Sequence, residues 1–261
     1  MTDLSRPPDY PKSHDLLAGR NVLITAAAGT GIGYAAARRC LEEGARVLIS
    51  DIHERRLAES AARLEEATGV RPATALCNVT AQAEVHALFE AAREAFESVD
   101  VVINNAGLGG TANVMDMTDG QWTAVLDVTL NGTFRMTRAA MQAMRETGGV
   151  IVNNASVLGW RAQKGQAHYA AAKAGVMALT RCAALEGAEF GIRINAVAPS
   201  LAMHPFLSRA IPLEQLRELE TREAYGRSAE VWEVANVMVF LASGYSTYMT
   251  GETVSVSSQR A

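Results

Sequence analysis

Seven short apolar runs, rich in β-branched residues, punctuate the chain: 21–25 (NVLIT), 46–50 (RVLIS), 74–77 (TALC), 101–105 (VVINN), 150–154 (VIVNN), 193–197 (RINAV) and 253–256 (TVSV). Between them the apolar positions recur at helical spacing, predicting helices over 34–43, 54–67, 81–96, 121–144, 169–190 and 230–241. Continuous apolar strands separated by helices predict a parallel sheet covered on both faces, an α/β doubly wound Rossmann-type fold. The alternation runs unbroken from about residue 17 to 261, so a single domain follows an irregular, proline-bearing arm over 1–16. Residues 199–228 interrupt the rhythm with Pro199, Pro205 and Pro212 around a charged helix-like piece, a candidate lid over a substrate.

In such sheets ligands bind beyond the carboxyl ends of the strands, where strand order reverses, so the residues following each strand carry the functional argument. After the first strand comes TAAAGTGIG: Thr25, Ala26, Ala27, Ala28, Gly29, Thr30, Gly31, Ile32 and Gly33 lead directly into a helix. Glycines there let the backbone approach a pyrophosphate, which the helix N-terminus favours. The second strand ends at Asp51, placed to accept hydrogen bonds from an adenosine ribose diol and to repel a 2′-phosphate. That points to NAD, and to alcohol oxidation as the favoured direction; Arg55 and Arg56 nearby keep NADP open.

Tyr169 and Lys173 stand four residues apart at the start of a helix and share a face. An ammonium beside a phenol favours the phenolate and suits it to proton transfer. Ser156 follows the fifth strand at the same sheet edge.

The glycine loop, Asp51, the run Asn104, Asn105, Ala106 and Gly107, and the Tyr169/Lys173 pair together resemble the short-chain dehydrogenase/reductase family, over about residues 17–256. The resemblance implies catalysis by Ser156, Tyr169 and Lys173. It places the cofactor against Thr25, Gly29, Thr30, Gly31, Ile32, Gly33, Asp51, Asn78, Val79, Asn105, Ala106, Gly107, Tyr169, Lys173, Pro199 and Leu201. Three features depart from the family pattern. The loop is one residue longer, with Ala26 where the first glycine usually stands. Thr129 occupies the place of a helix asparagine for which Asn131 cannot substitute, being about 200° around the helix. Ser200 replaces the glycine of the family's Pro-Gly.

A substrate pocket is expected from Leu158, Trp160, Gln163, His168, Met203, His204 and Phe206, with Arg161, Lys164 and Arg209 at its rim to meet a phosphate-bearing handle such as coenzyme A. The segments NNASVLGWRAQ and HYAAAKAGVMALTRC are similar to actinobacterial enzymes of steroid-ring breakdown that act on bicyclic acyl-CoA intermediates. Two alternatives stay open: a 3-oxoacyl reductase of fatty-acid type using NADPH, and a catalytically inactive dinucleotide-binding sensor or scaffold.

Composition narrows the partners. With a net charge of −4 and basic residues scattered among acidic ones, no basic face for nucleic acid is expected. Cys40, Cys77 and Cys182 show no metal or disulfide spacing and are expected to fill core space in a cytoplasmic protein. No metal site, signal peptide or membrane anchor is expected. Apolar residues on several faces of 121–144 and 169–190, together with the resemblance, imply a homotetramer.

Overall fold

The computed structural model describes residues 3–204 and 213–258. Its sheet holds seven parallel strands: β1 (Asn21–Thr25), β2 (Arg46–Asp51), β3 (Ala73–Leu76), β4 (Val101–Asn104), β5 (Gly149–Asn154), β6 (Ile192–Pro199) and β9 (Thr253–Val256). They lie in the order β3-β2-β1-β4-β5-β6-β9. The order reverses between β1 and β4, which opens a crevice at the carboxyl ends of these two strands.

Each central strand feeds two cores because successive side chains point to opposite faces. Val22 and Ile24 join Val47, Ile49, Val101 and Ile103 on one side. Leu23, Leu48, Val102, Ile151 and Ile194 face the other. The first face is covered by α1 (Ile32–Glu42), α2 (Glu54–Thr68) and the helix Val231–Ala242. Across the sheet lie α3 (Gln82–Phe96), α5 (Gly132–Ala143) and α6 (Ala167–Ala188).

The continuous helix expected over 121–144 is divided. It runs as α4 (Asp119–Leu126), one π-helical turn over Asp127–Asn131, and then α5. Two features accompany the wider turn: the Thr133 hydroxyl donates to the Thr129 carbonyl at 2.7 Å, and a Cβ on Gly132 would meet Val79 Cγ2 at 2.6 Å. Such turns concentrate at functional sites, and this one delivers Thr129 to the crevice.

Within the interruption at 199–228, β7 (Ala202–Met203) pairs in parallel with β8 (Ala229–Glu230), and the charged piece forms the helix Leu213–Thr221. Phe206 and Arg209 lie outside the described residues. Cys40 and Cys77 are buried, but Cys182 is exposed, because it sits on the outward face of α6. The arm is irregular and docks through Tyr10, whose ring packs edge-on against Trp232 and whose hydroxyl donates to Glu42.

Candidate active site

At the head of the crevice, Thr25 is buried, and its hydroxyl oxygen accepts from the amides of Asn105 and Ala106 at 3.0 and 3.1 Å. Its side chain therefore locks the end of β1 to the end of β4. Asn105 Nδ2 donates to the Ala26 carbonyl, and Asn105 Oδ1 accepts from Asn154 Nδ2 at 2.9 Å. Ala26, standing where a glycine is usual, adopts a left-handed φ of 51°.

The longer loop turns toward β2 and α2. Ala27 donates to the Ser50 carbonyl, Ala28 to Asp51 Oδ2 and Gly29 to Ser60 Oγ. Beyond it, the amides of Thr30, Gly31, Ile32 and Gly33 make no hydrogen bond among the described residues. Gly31 caps α1 without a side-chain bond, and the first turn carries no acidic residue. Four unsatisfied amides at a helix start form a cradle for an anion, so these residues fit the pyrophosphate of a dinucleotide.

Gly33 matters for a second reason. A Cβ there would stand 2.5 Å from both the Ala26 carbonyl oxygen and Asn105 Nδ2. Gly33→Ala should displace the loop and weaken cofactor binding by about tenfold or more, the cost of misplacing one or two charge-assisted hydrogen bonds; calorimetric titration with NADH and NADPH measures it.

Asp51 is nearly covered, and its two oxygens accept from the amides of Ala28 and His53. Burial raises its pKa, opposed by the Ala28 hydrogen bond and by Arg56. The adenine-side residues separate by role. Asn78 Oδ1 bonds the amide and hydroxyl of Thr80, whereas Val79 is buried against Gly132, leaving only its backbone for a ligand.

Deeper in the crevice, Ser156 closes β5 and Tyr169 rises from the first turn of α6. Lys173 is buried and donates to the Asn154 carbonyl; its Nζ lies 5.5 Å from the Tyr169 ring centre. A Cβ on Gly107 would sit 3.6 Å from that Nζ. The three side chains expected to act together are thus brought together.

Their electrostatics differ from expectation. Burial pushes the Tyr169 phenol up to about 12, with a hydrogen bond to Ser156 opposing it. Burial also pushes Lys173 down to about 7. The depression of Tyr169 by Lys173 is absent in the chain alone, because desolvation outweighs an ammonium that is itself only partly charged near neutrality.

Around the opening, Thr129 is buried and its hydroxyl both accepts from the amide of Leu108 and donates to its carbonyl. Gln166 Nε2 donates to the carbonyl of Gly110. His168, expected to line the pocket, is instead buried: its Nδ1 accepts the Tyr169 amide, and Nε2 lies against Gly110. Trp160 is exposed, while Leu158, Gln163 and Met203 are partly covered; burial lowers the pKa of His204. Pro199 ends β6, and Leu201 accepts the Ala229 amide.

Asn154, Ser60 and Arg63 were not among the expected site residues. Asn154 had a signal in its place beside Ser156. Ser60 and Arg63 had only the extra loop residue, which must be held by something.

A family model described as enoyl-(acyl carrier protein) reductase matches residues 26–258. A Mycobacterium tuberculosis protein named (5R,7aS)-5-hydroxy-7a-methyl-1-oxo-2,3,5,6,7,7a-hexahydro-1H-indene-carboxyl-CoA reductase is 57% identical over 259 residues, 98% of this chain and 99% of the relative. A Staphylococcus aureus 3-oxoacyl-(acyl-carrier-protein) reductase is 35% identical over 238 residues, 91% of this chain and 96% of the relative. Among solved structures, a short chain dehydrogenase from Mycobacterium smegmatis is 55% identical with a TM-score of 0.88, covering 99% of this chain and 100% of its own. Levodione reductase, 34% identical, also superposes with a TM-score of 0.88, over 93% of this chain and 97% of its own. No helix among the described residues is long and apolar enough to cross a membrane. Likeness of this extent, at both the sequence and the structural level, makes the chain a member of the short-chain dehydrogenase/reductase family, NAD(P)-dependent oxidoreductases.

Proposed function

We propose that this enzyme interconverts a secondary alcohol and a ketone on a fused bicyclic ring carried as a coenzyme A thioester, with NAD(H) as cofactor. The single observation carrying the reaction type is the convergence of Ser156, Tyr169 and Lys173 at the same carboxyl edge of the sheet as the four free amides at the start of α1. The ring and thioester rest on the relative named an indene-carboxyl-CoA reductase, whose compound is the fused bicycle that the sequence resemblance to steroid-ring enzymes implied. Asp51 favours NAD(H): a carboxylate that already bonds the loop stands where a 2′-phosphate would have to approach it. We further propose a homotetramer acting in the cytoplasm, where the unpaired Cys40 and Cys77 stay reduced.

When bound, the nicotinamide supplies or accepts the hydride. Ser156 holds the substrate oxygen by a hydrogen bond. Tyr169 donates its phenolic proton to that oxygen during reduction and withdraws one during oxidation. Lys173, tied to the Asn154 carbonyl with its Nζ 5.5 Å from the ring centre, restores the phenol's proton when it is itself protonated. The free amides of residues 30–33 hold the pyrophosphate, and the wall formed by Leu108, Gly110 and His168 limits the entry of water.

Thermal shifts with NAD, NADH, NADP and NADPH side by side test the cofactor assignment, since a ligand of the native state stabilises it in proportion to saturation. The expected result is a larger shift with NAD and NADH. Asp51→Ala should narrow the gap. A larger shift with NADPH, together with turnover of acetoacetyl-CoA in preference to a bicyclic keto acyl-CoA, would instead support the 3-oxoacyl reductase reading.

A further inference from the structure

The lengthened glycine loop is held from α2 at a single residue, through both of its backbone polar groups. Gly29, at a left-handed φ of 108°, donates its amide to Ser60 Oγ at 2.9 Å. Arg63 Nη2 donates to the Gly29 carbonyl at 2.6 Å and to the same Ser60 oxygen at 3.1 Å. The guanidinium carbon of Arg63 also lies 4.9 Å from the centre of the Tyr34 ring, in the first turn of α1. Ser60 is fully buried, so its hydroxyl has few other orientations open to it.

These contacts bracket the four free amides. Gly29 immediately precedes residues 30–33 and Tyr34 immediately follows them, and Arg63 reaches both. An extra residue in a phosphate-binding loop adds conformations that do not present the amides together. Holding the two ends removes those conformations before the ligand arrives.

We propose that Arg63, with Ser60 beneath it, is a positioning residue that preorganises the longer loop for the dinucleotide pyrophosphate. It acts through Gly29 and not on the reacting atoms. The inference rests on the reading of residues 30–33 as the pyrophosphate cradle. Arg63 should therefore serve NADH and NADPH alike, since both carry the same pyrophosphate.

The test is fluorescence titration of wild type, Arg63→Met, Arg63→Lys and Ser60→Ala with NADH and with NADPH, alongside melting temperature and steady-state kinetics. Arg63→Met should raise both dissociation constants by a similar factor, about tenfold, the scale of one lost charge-assisted hydrogen bond. It should raise the cofactor KM with little effect on kcat at saturation. Arg63→Lys should recover part of the affinity, because an ammonium can still reach the Gly29 carbonyl. In Arg63→Met/Ser60→Ala the two effects should fall short of additive, because both side chains hold Gly29 and bond each other. A lowered melting temperature with unchanged dissociation constants would overturn the proposal by making Arg63 structural only. Loss confined to NADPH would overturn it in favour of direct contact with a 2′-phosphate. A wild-type protein that bound neither dinucleotide would refute the cradle reading itself, a separate failure.

Discussion

Tyr169→Phe is expected to lower kcat by on the order of 10³-fold or more, within the range ascribed to a lost general acid/base, while leaving dinucleotide affinity nearly unchanged. The ring would remain and so would its packing; only the exchangeable proton would go. The high pKa, about 12 in the chain alone, refines the expectation. At neutral pH the phenol is protonated, the form that ketone reduction consumes, so the free enzyme is already prepared for the reductive direction. Oxidation needs the phenolate, and its rate should rise with pH until the bound-state pKa of Tyr169 is passed, while reduction falls over the same range. A positive charge entering beside the ring lowers that pKa, so the limb should appear well below 12 when cofactor is bound. Ultraviolet difference titration of wild type against Tyr169→Phe reads the free-enzyme value directly. Ionisation of Tyr169 near the ordinary 10 would contradict the burial seen here, and turnover retained by the Phe variant would remove the residue from the mechanism.

Lys173→Met should separate function from stability in the opposite sense. The lysine is buried with a carbonyl for its resolved hydrogen-bond partner, and burial lowers its pKa to about 7. In the unfolded chain the amine titrates at its ordinary 10.5. Between these values the unfolded state holds a proton that the folded state lacks, so stability rises with pH across that window. Below about 7 both states are protonated, and the penalty of the buried charge is felt in full. Methionine fills similar space without a charge. The variant should therefore melt at a higher temperature near pH 6 and lose most of its advantage by pH 10, while kcat drops on the order of 10²-fold or more. Melting curves at a series of pH values, with kinetics on the same samples, decide the matter. A variant less stable than wild type at pH 6 would mean that the lysine has compensating contacts beyond Asn154.

The arrangement explains why the departures from the family pattern do not disperse the site. Thr129 meets both the amide and the carbonyl of Leu108 with one hydroxyl, and the π-helical turn sets it at the required depth. Ala26 takes a left-handed conformation that costs an L-residue about 1–2 kcal/mol, and its carbonyl is fixed there by Asn105. Thr129 and Ala26, the departures that would favour an inactive scaffold, are both structurally accommodated.

Much of this was legible in the sequence. Seven apolar runs separated by helical spacing were enough for a covered parallel sheet, because burial on both faces leaves few polar positions within a central strand. The glycines before α1 and the Tyr169/Lys173 spacing were also readable, since each depends on local backbone geometry. What only the tertiary structure decided depends on residues distant in the chain or on desolvation. Thr25 clamps amides 80 and 81 positions away, and Arg63 reaches back 34 positions to Gly29; no local pattern encodes either pairing. His168 turned inward although its neighbours line the opening, and Cys182 faced outward, because one helical pattern fits several rotations about its axis until packing selects one. The pKa values of Tyr169 and Lys173 diverged from the pairwise expectation for a similar reason. Spacing along a helix establishes that two groups are near each other, but how much water is excluded from both is settled only when the sheet, α6 and the loops around Leu108 close together.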